Sequence, residues 1–385
     1  MKQRLLLLFT AAMVCAVIMG CRFSAGTSAE YSKDKQGTQQ SDTKPNQGQQ
    51  SGQSQQGGGQ GQQDERFEVQ DGKLVKYTGT DEHVVIPESV KVIGKEVFSA
   101  NTTIKTVQLP TGLLKIEDDA FLYSTLTKVT IPANVTEIGS FAFMGTKLTE
   151  LKFEAGSKIT KLPKNMCEIC TDLTTVELPT GLQSIGSSAF SGCEKLSQIT
   201  FPDTVHTIET NAFRETALTR VVLPANLQKL EQQAFYLNKE LTEVVASTTV
   251  VQQDWKEIPE NDNGISALCF CDNQKLQTIK FPDRLKTMSE GCLLGAVHLK
   301  DVTLPASIAS ISEGIIDLSS ITDKVTVHVK NREPSQISIN TYAFRNFDGT
   351  HKDKLFIHVP NGTSETFKKA AGWSTYQERI SEESN

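Results

Sequence analysis

The sequence predicts a mainly β repeat solenoid of about 12 short parallel strands, joined by short helical or 3₁₀ turns. Three observations predict it. An apolar–polar–apolar triplet followed by proline recurs along the chain, ending at Pro87, Pro110, Pro132, Pro179, Pro202, Pro224, Pro282, Pro305 and Pro360. Its period is 23 residues from Pro87 to Pro110 and 22 from Pro110 to Pro132 and from Pro202 to Pro224. A column of aromatic residues (Phe98, Phe121, Phe143, Phe190, Phe213, Phe235, Phe270, Phe344) follows the same period, often behind an alanine. A unit of this size cannot bury its apolar side alone, whereas a stack of units can.

Residues 1–20 begin with Lys2 and Arg4 and continue in an apolar run from Leu5 to Met19. That run is short for a membrane span and suits a signal-peptide core. It closes in Ile18-Met19-Gly20-Cys21, which resembles a bacterial lipobox. The resemblance implies a lipoprotein signal peptide, lipid on Cys21, and an exported protein held at the cell surface. Residues 21–63 are rich in Gln, Gly and Ser, have almost nothing to contribute to a core, and are expected to be a disordered tether.

Folding is expected to begin at residues 64–82. FEVQDGKLVKYTG alternates apolar residues around Asp71-Gly72, a hairpin signal, and would cap the first coil. Residues 83–360 form the repeats. The triplet is a strand with its apolar residues inward, and proline stops it because it has no N–H for the next coil. A turn and a second short extended piece through Ile185 follow in the central copy. The Ala-Phe pair then lies on a helical or 3₁₀ turn, with phenylalanine in the core. Insertions fall near 248–264 and 329–353, and residues 361–385 read as a C-terminal cap and tail. Insertions in solenoids map to loops, which makes Trp255 in the first of them a candidate contact residue.

The net charge is −6, and no row of Lys or Arg forms the stripe that a nucleic-acid binder needs. The strand positions facing outward carry mixed charge, and Glu150, Lys152, Glu177, Arg220 and Lys280 are candidate binding residues there. No GxSxG, HExxH or phosphate-cradling motif occurs, so no catalytic residue, cofactor or metal ligand is assigned. Cys167-x-x-Cys170 has no second such pair to complete a zinc site. Cys170 and Cys193 share one repeat column, and Cys269 and Cys292 another. Neighbouring coils stack at roughly 4.8 Å, within disulfide range, so each pair is a candidate bridge. Small core fillers are the other reading of the same cysteines.

The unit L-x-x-I-x-(I/L)-P-x-x-(V/L)-x-x-I-G-x-x-A-F-x-x-C resembles the BspA-type leucine-rich repeat of bacterial surface proteins. LTKVTIPANVTEIGSFAF and LSQITFPDTVHTIETNAF follow it closely, and VPNGTSETFKKAAGW resembles the family's closing segment. The resemblance runs from about Phe67 to Ile380 and weakens at Lys161–Cys170, where Cys167 takes the phenylalanine place. It weakens again at Ser310–Thr322, where Ile316 does. It implies a non-catalytic, adhesin-like surface protein whose ligand is a protein, such as a host extracellular-matrix component. Glycan binding, with Trp255 or Tyr236 stacking on sugars, is the alternative; a structural spacer is the third.

Overall fold

The computed structural model describes residues 64–248 and 263–383. Each coil has three walls. The first wall is built from the triplets, because alternation puts one apolar residue inward and its neighbours outward. Five of these strands (His83–Val85, Thr106–Gln108, Lys128–Ile131, Glu150–Phe153, Thr175–Val176) form one parallel sheet. A second sheet of seven begins at Arg220–Leu223 and ends at Ile380–Glu382. Between the two sheets, the triplet Thr200-Phe201-Pro202 is not a strand, although Phe201 is still buried.

The second wall consists of two-residue strands around the Ile-Gly position. An antiparallel hairpin, Phe67–Gln70 with Lys73–Tyr77, opens it across Asp71-Gly72, both in the left-handed region. Lys73–Tyr77 pairs in turn with Val92–Ile93. The sheet runs to Glu137–Ile138 and a second sheet of eight resumes at Lys161–Leu162. Register is held one repeat at a time, as in Ser184↔Thr207 and Ile185↔Ile208. Gly186 fits this position because an added Cβ would lie 2.6 Å from the Leu162 carbonyl oxygen.

The third wall carries the Ala-Phe pairs, and of the helical or 3₁₀ turn expected there it is the 3₁₀ form that occurs. Bonds of 3₁₀ type do form, such as Ser99 N–H to Glu96 C=O at 3.0 Å. Left-handed residues four apart (Glu96 and Ala100, Asp119 and Tyr123, Ser188 and Gly192) stop the turn from continuing as a helix. They also aim alternate N–H groups at the next coil: Phe98 to Ala120 C=O at 2.8 Å and Ala100 to Leu122 C=O at 2.7 Å. The third wall is therefore a hydrogen-bonded ladder of turns.

The core lies between the walls. Every aromatic of the predicted column is buried, and the rings stack: Phe98 on Phe121 at 4.9 Å, Phe213 on Phe235 at 5.3 Å, Phe235 on Phe270 at 5.2 Å. Cys167 and Ile316 occupy the ring place in their coils and are equally buried, and Ile316 is in register with Phe344. Leu293 does the same between Phe270 and Ile316. At the C-terminal end a helix at Ser364–Lys369 and a 3₁₀ segment at Trp373–Arg379 bury Phe367, Trp373 and Tyr376. Beyond them Ile380–Glu382 returns as a strand beside Leu355–Val359, an element the tail's sequence did not announce.

Candidate functional site

The outward row of the first wall is a run of side chains fixed by strand register. Lys128 is in register with Glu150, and Thr130 with Lys152. The row becomes a charge ladder. Lys128 Nζ lies 3.3 Å from Glu150, Lys152 Nζ lies 2.6 Å from Glu150, and Lys152 Nζ lies 2.9 Å from Glu177. Lys152 and then Lys128 hold the Glu150 carboxyl below the usual carboxylate range. Glu150 and Glu177 push the Lys152 ammonium up to about 12. Exposed pairs of this kind contribute little to stability, so the ladder's consequence is order: it presents alternating charge at fixed spacing.

Beside the ladder is a shallow groove of about 430 Å³, lined by Thr106, Gln108, Lys128, Thr130, Glu150 and Lys152 among others. Three of the expected binding residues (Glu150, Lys152, Glu177) thus come together on the first of the two sheets. Arg220 begins the second sheet, paired to Glu243 at 2.5 Å, and Lys280 is exposed two strands further on. Trp255 and Cys21 lie outside the described residues. On either side of 249–262 the stack keeps its register, through Leu230↔Ile265 and Glu243↔Thr278.

The described cysteines take the core-filling places that were one of their two readings. All six described cysteines are buried thiols. Cys170 Sγ donates to the Phe143 carbonyl at 3.1 Å, and Cys193 Sγ donates to the Cys167 carbonyl at 3.2 Å. Asn238 and Asn273, three residues after their own phenylalanines, donate in the same way to Phe213 and Phe235, each at 3.0 Å. At Cys170, Asn238 and Asn273 this column supplies a buried donor to the aromatic column of the coil before, a role that sequence reasoning missed. The signal was present in the polar residues Ser124, Thr146, Thr216, Asn238 and Asn273 at an otherwise buried position. Cys269 and Cys292 instead take the alanine place beside the ring column; burial raises the Cys269 thiol well above its ordinary value and pushes Cys292 up to about 12.

A second opening, of about 400 Å³, lies on the second wall between the strands Glu137–Ile138 and Lys161–Leu162. Sequence reasoning missed it as well. Lys161 reaches Glu209 at 2.8 Å across it, and Glu209 accepts the Ser187 N–H and hydroxyl at 3.0 and 3.1 Å. Burial pushes the Glu209 carboxyl up, but Lys161 and Ser187 outweigh it and hold it below the usual range.

Among the described residues no group of three or more His, Cys, Asp or Glu gathers as a metal site would require. Histidines pair locally, as His83 does with Thr106 at 2.8 Å and His298 with Thr322 at 3.2 Å. His328 sits 3.2 Å from Glu383, with its ring edge-on to His358 at 5.3 Å. None of these contacts joins a base to a nucleophile in a cleft.

Coils with two parallel-strand walls, a ring column and an open charged face define a parallel repeat solenoid of the leucine-rich kind. The sequence pattern described as BspA type leucine rich repeat region (6 copies) matches residues 76–176, 160–256 and 252–369, and the chain belongs to that family. Among solved structures it is similar to a leucine rich cell surface protein from Faecalibacterium prausnitzii A2-165, at 23% identity over 81% of this chain and 94% of that one, with a TM-score of 0.43. A leucine-rich repeat protein from Eubacterium ventriosum shows 27% identity over 50% of each chain, with a TM-score of 0.40. The pneumococcal vaccine antigen PcpA shows 17% identity over 82% of this chain and 94% of that one, with a TM-score of 0.35. A comparison with curated proteins gave no match.

Proposed function

We propose that this protein is a non-catalytic, adhesin-like binder at the bacterial cell surface that contacts a protein ligand through the outward face of its first wall. One observation carries the reading: the Lys128–Glu150–Lys152–Glu177 ladder beside an open groove, on a sheet whose Val84, Val107, Val129 and Leu151 are buried in the core. Such a face offers many individually weak polar contacts on a rigid support, which favours specificity through charge complementarity. Membership of a repeat family and similarity to proteins described as surface proteins support the class of function. Lipid on Cys21 followed by the tether at 21–63 would place the solenoid clear of the membrane; radiolabelled palmitate incorporation, lost in Cys21→Ala, tests that part.

The test of binding is a surface-plasmon titration of the purified protein over immobilised extracellular-matrix proteins, repeated with residues 248–264 replaced by a short turn. Saturable binding that survives the replacement supports the first wall. Binding that vanishes with it moves the contact to the insertion and to Trp255. Silence across the panel removes support for the adhesin reading.

A further inference from the structure

The second wall repeats one main-chain bond from coil to coil. The residue after each short strand donates its N–H to the last strand residue of the coil before. Gly139 donates to Ile116 at 2.8 Å, Gly186 to Leu162 at 3.0 Å, Glu209 to Ile185 and Glu231 to Ile208 at 2.9 Å. In the coil after Ile138 that place is Pro163, which has no N–H to give. The Ile138 carbonyl therefore faces the next coil without the donor its counterparts have. A second bond is missing at the same level. Gln183 donates to Thr160 and His206 to Gln183, at 2.7 and 2.9 Å, but neither Thr160 nor Lys161 donates to Thr136.

The loop has a matching cause. Ile131 to Ile138 is seven steps, whereas Phe153 to Leu162 is nine, with Gly156 in the left-handed region. On the other two walls the same pair of coils stays joined, through Val129↔Leu151 and through Phe143 N–H to Met166 C=O at 2.9 Å. The coils are splayed on one wall only. The result is the notch of about 400 Å³, whose lining includes Thr136, Ile138, Ser140, Lys161, Pro163 and Lys164.

Its charges are nearly balanced. Lys115 pairs with Glu137 and Lys161 with Glu209, each at 2.8 Å. Lys164 forms no ion pair among the described residues; its ammonium lies 5.8 Å from the centre of the Phe141 ring. The notch thus presents one unmatched cation, main-chain acceptors without donors, several hydroxyls, and an apolar floor at Ile138 and Pro163. An apolar ligand would leave the carbonyls unsatisfied at a cost. A metal ion would meet two ammonium groups, and a multiply charged phosphate would meet Glu137 and Glu209 with a single free lysine. A peptide strand needs the coils apart along their length, and the other two walls hold them together.

We propose that this notch binds a sugar carrying a carboxylate, of the uronic or sialic acid class. Its hydroxyls donate to the Ile138 and Thr136 carbonyls, its carboxylate meets Lys164, and its ring face lies against Pro163. Pro163 is the specificity device, since any other residue there would supply an N–H able to occupy the Ile138 carbonyl.

The test is NMR titration of the whole protein with glucuronic acid and N-acetylneuraminic acid, with glucose as the neutral control. The same titrations are run on Pro163→Ala, Lys164→Met and, on the first wall, Lys152→Met. The expected result is saturable binding of an acidic sugar that weakens by at least about tenfold in both notch variants and is unchanged in Lys152→Met. A thermal melt confirms that each variant folds, and Lys164→Met alone decides the question should Pro163→Ala fail to. Equal binding of glucose, binding of neither acid, or unchanged binding in the notch variants would overturn the proposal. Because the matrix-protein contact is assigned to the other wall, its loss or survival is read separately.

Discussion

Two neighbouring coils fill the same columns in opposite ways. In the coil at 184–193, Gly186 donates to Leu162, Ala189 leaves room, and Phe190 stacks 5.4 Å from Phe213. One repeat earlier, Pro163 withholds the bond, and Met166-Cys167 exchanges large for small where the other coil has Ala189-Phe190. Met166 and Cys167 are both fully buried, so the exchange keeps the core filled while it interrupts the ring column between Phe143 and Phe190. The irregular coil keeps its register all the same: Leu162↔Ile185 and Val176↔Leu151 hold, and the third-wall ladder continues from Cys167 N–H to Ala189 C=O at 2.8 Å. Three walls give redundancy. A coil can lose the bonds of one wall and its aromatic ring, provided volume is conserved and the other two walls remain paired.

That comparison can be broken most forcefully in the regular part. Phe213 stacks on Phe190 and Phe235 and meets Phe201 edge-on at 5.3 Å. Phe213→Ala should cost roughly 3–5 kcal/mol, read by denaturant unfolding. In the irregular coil the converse applies. Cys167→Phe should cost roughly 1–3 kcal/mol by overpacking against Met166, and Met166→Ala in the same chain should recover most of it. Independent, additive costs would show that the two positions do not share one volume.

The polar column gives a smaller effect. Cys170→Val removes the donor to Phe143 and should cost roughly 1–3 kcal/mol, whereas Cys170→Ser should stay within about 1 kcal/mol. Peptide mapping after alkylation addresses the bridges at the same time. The structure predicts that all six of the described cysteines resist reagent in the folded protein and all react in denaturant. Protection of Cys170 with Cys193, or of Cys269 with Cys292, in non-reducing denaturant would show a disulfide instead.

The smallest predicted effect concerns acid. Glu209 is held below its ordinary value of 4.5, so the folded chain binds its proton more weakly than the unfolded one. The stability it contributes is present above that ordinary value and is lost as pH falls through the lower, folded one. Glu209→Gln should lower stability near neutrality by about 1 kcal/mol, with the difference from the unaltered protein vanishing as pH falls through the acid limb, which is thereby flattened.

How much of this was legible in the sequence follows from what each feature depends on. The strands, the ring column and the outward row were readable, since a repeat period displays side-chain identity directly: Phe98 to Phe270 and Lys128 to Glu177 could be aligned by eye. The third-wall ladder was not, because its left-handed positions hold residues as different as Glu96, Phe141 and Ser188. The notch depends on a bond that is not made, and its one trace was a proline in the column that elsewhere holds Gly139, Gly186 or Glu209. The final strand at 380–382 was invisible because it has neither a triplet nor a proline.

The most direct test of the functional account compares the two walls. Lys152→Glu with Arg220→Glu reverses charge on the first wall, and Lys115→Glu does so on the second. Affinity for whichever matrix protein binds the unaltered chain is then measured by surface plasmon resonance at low and high salt. The account predicts a loss of about tenfold or more for the first-wall variant, smaller at high salt, and no change for the second-wall variant. Equal affinity in all three proteins would contradict it.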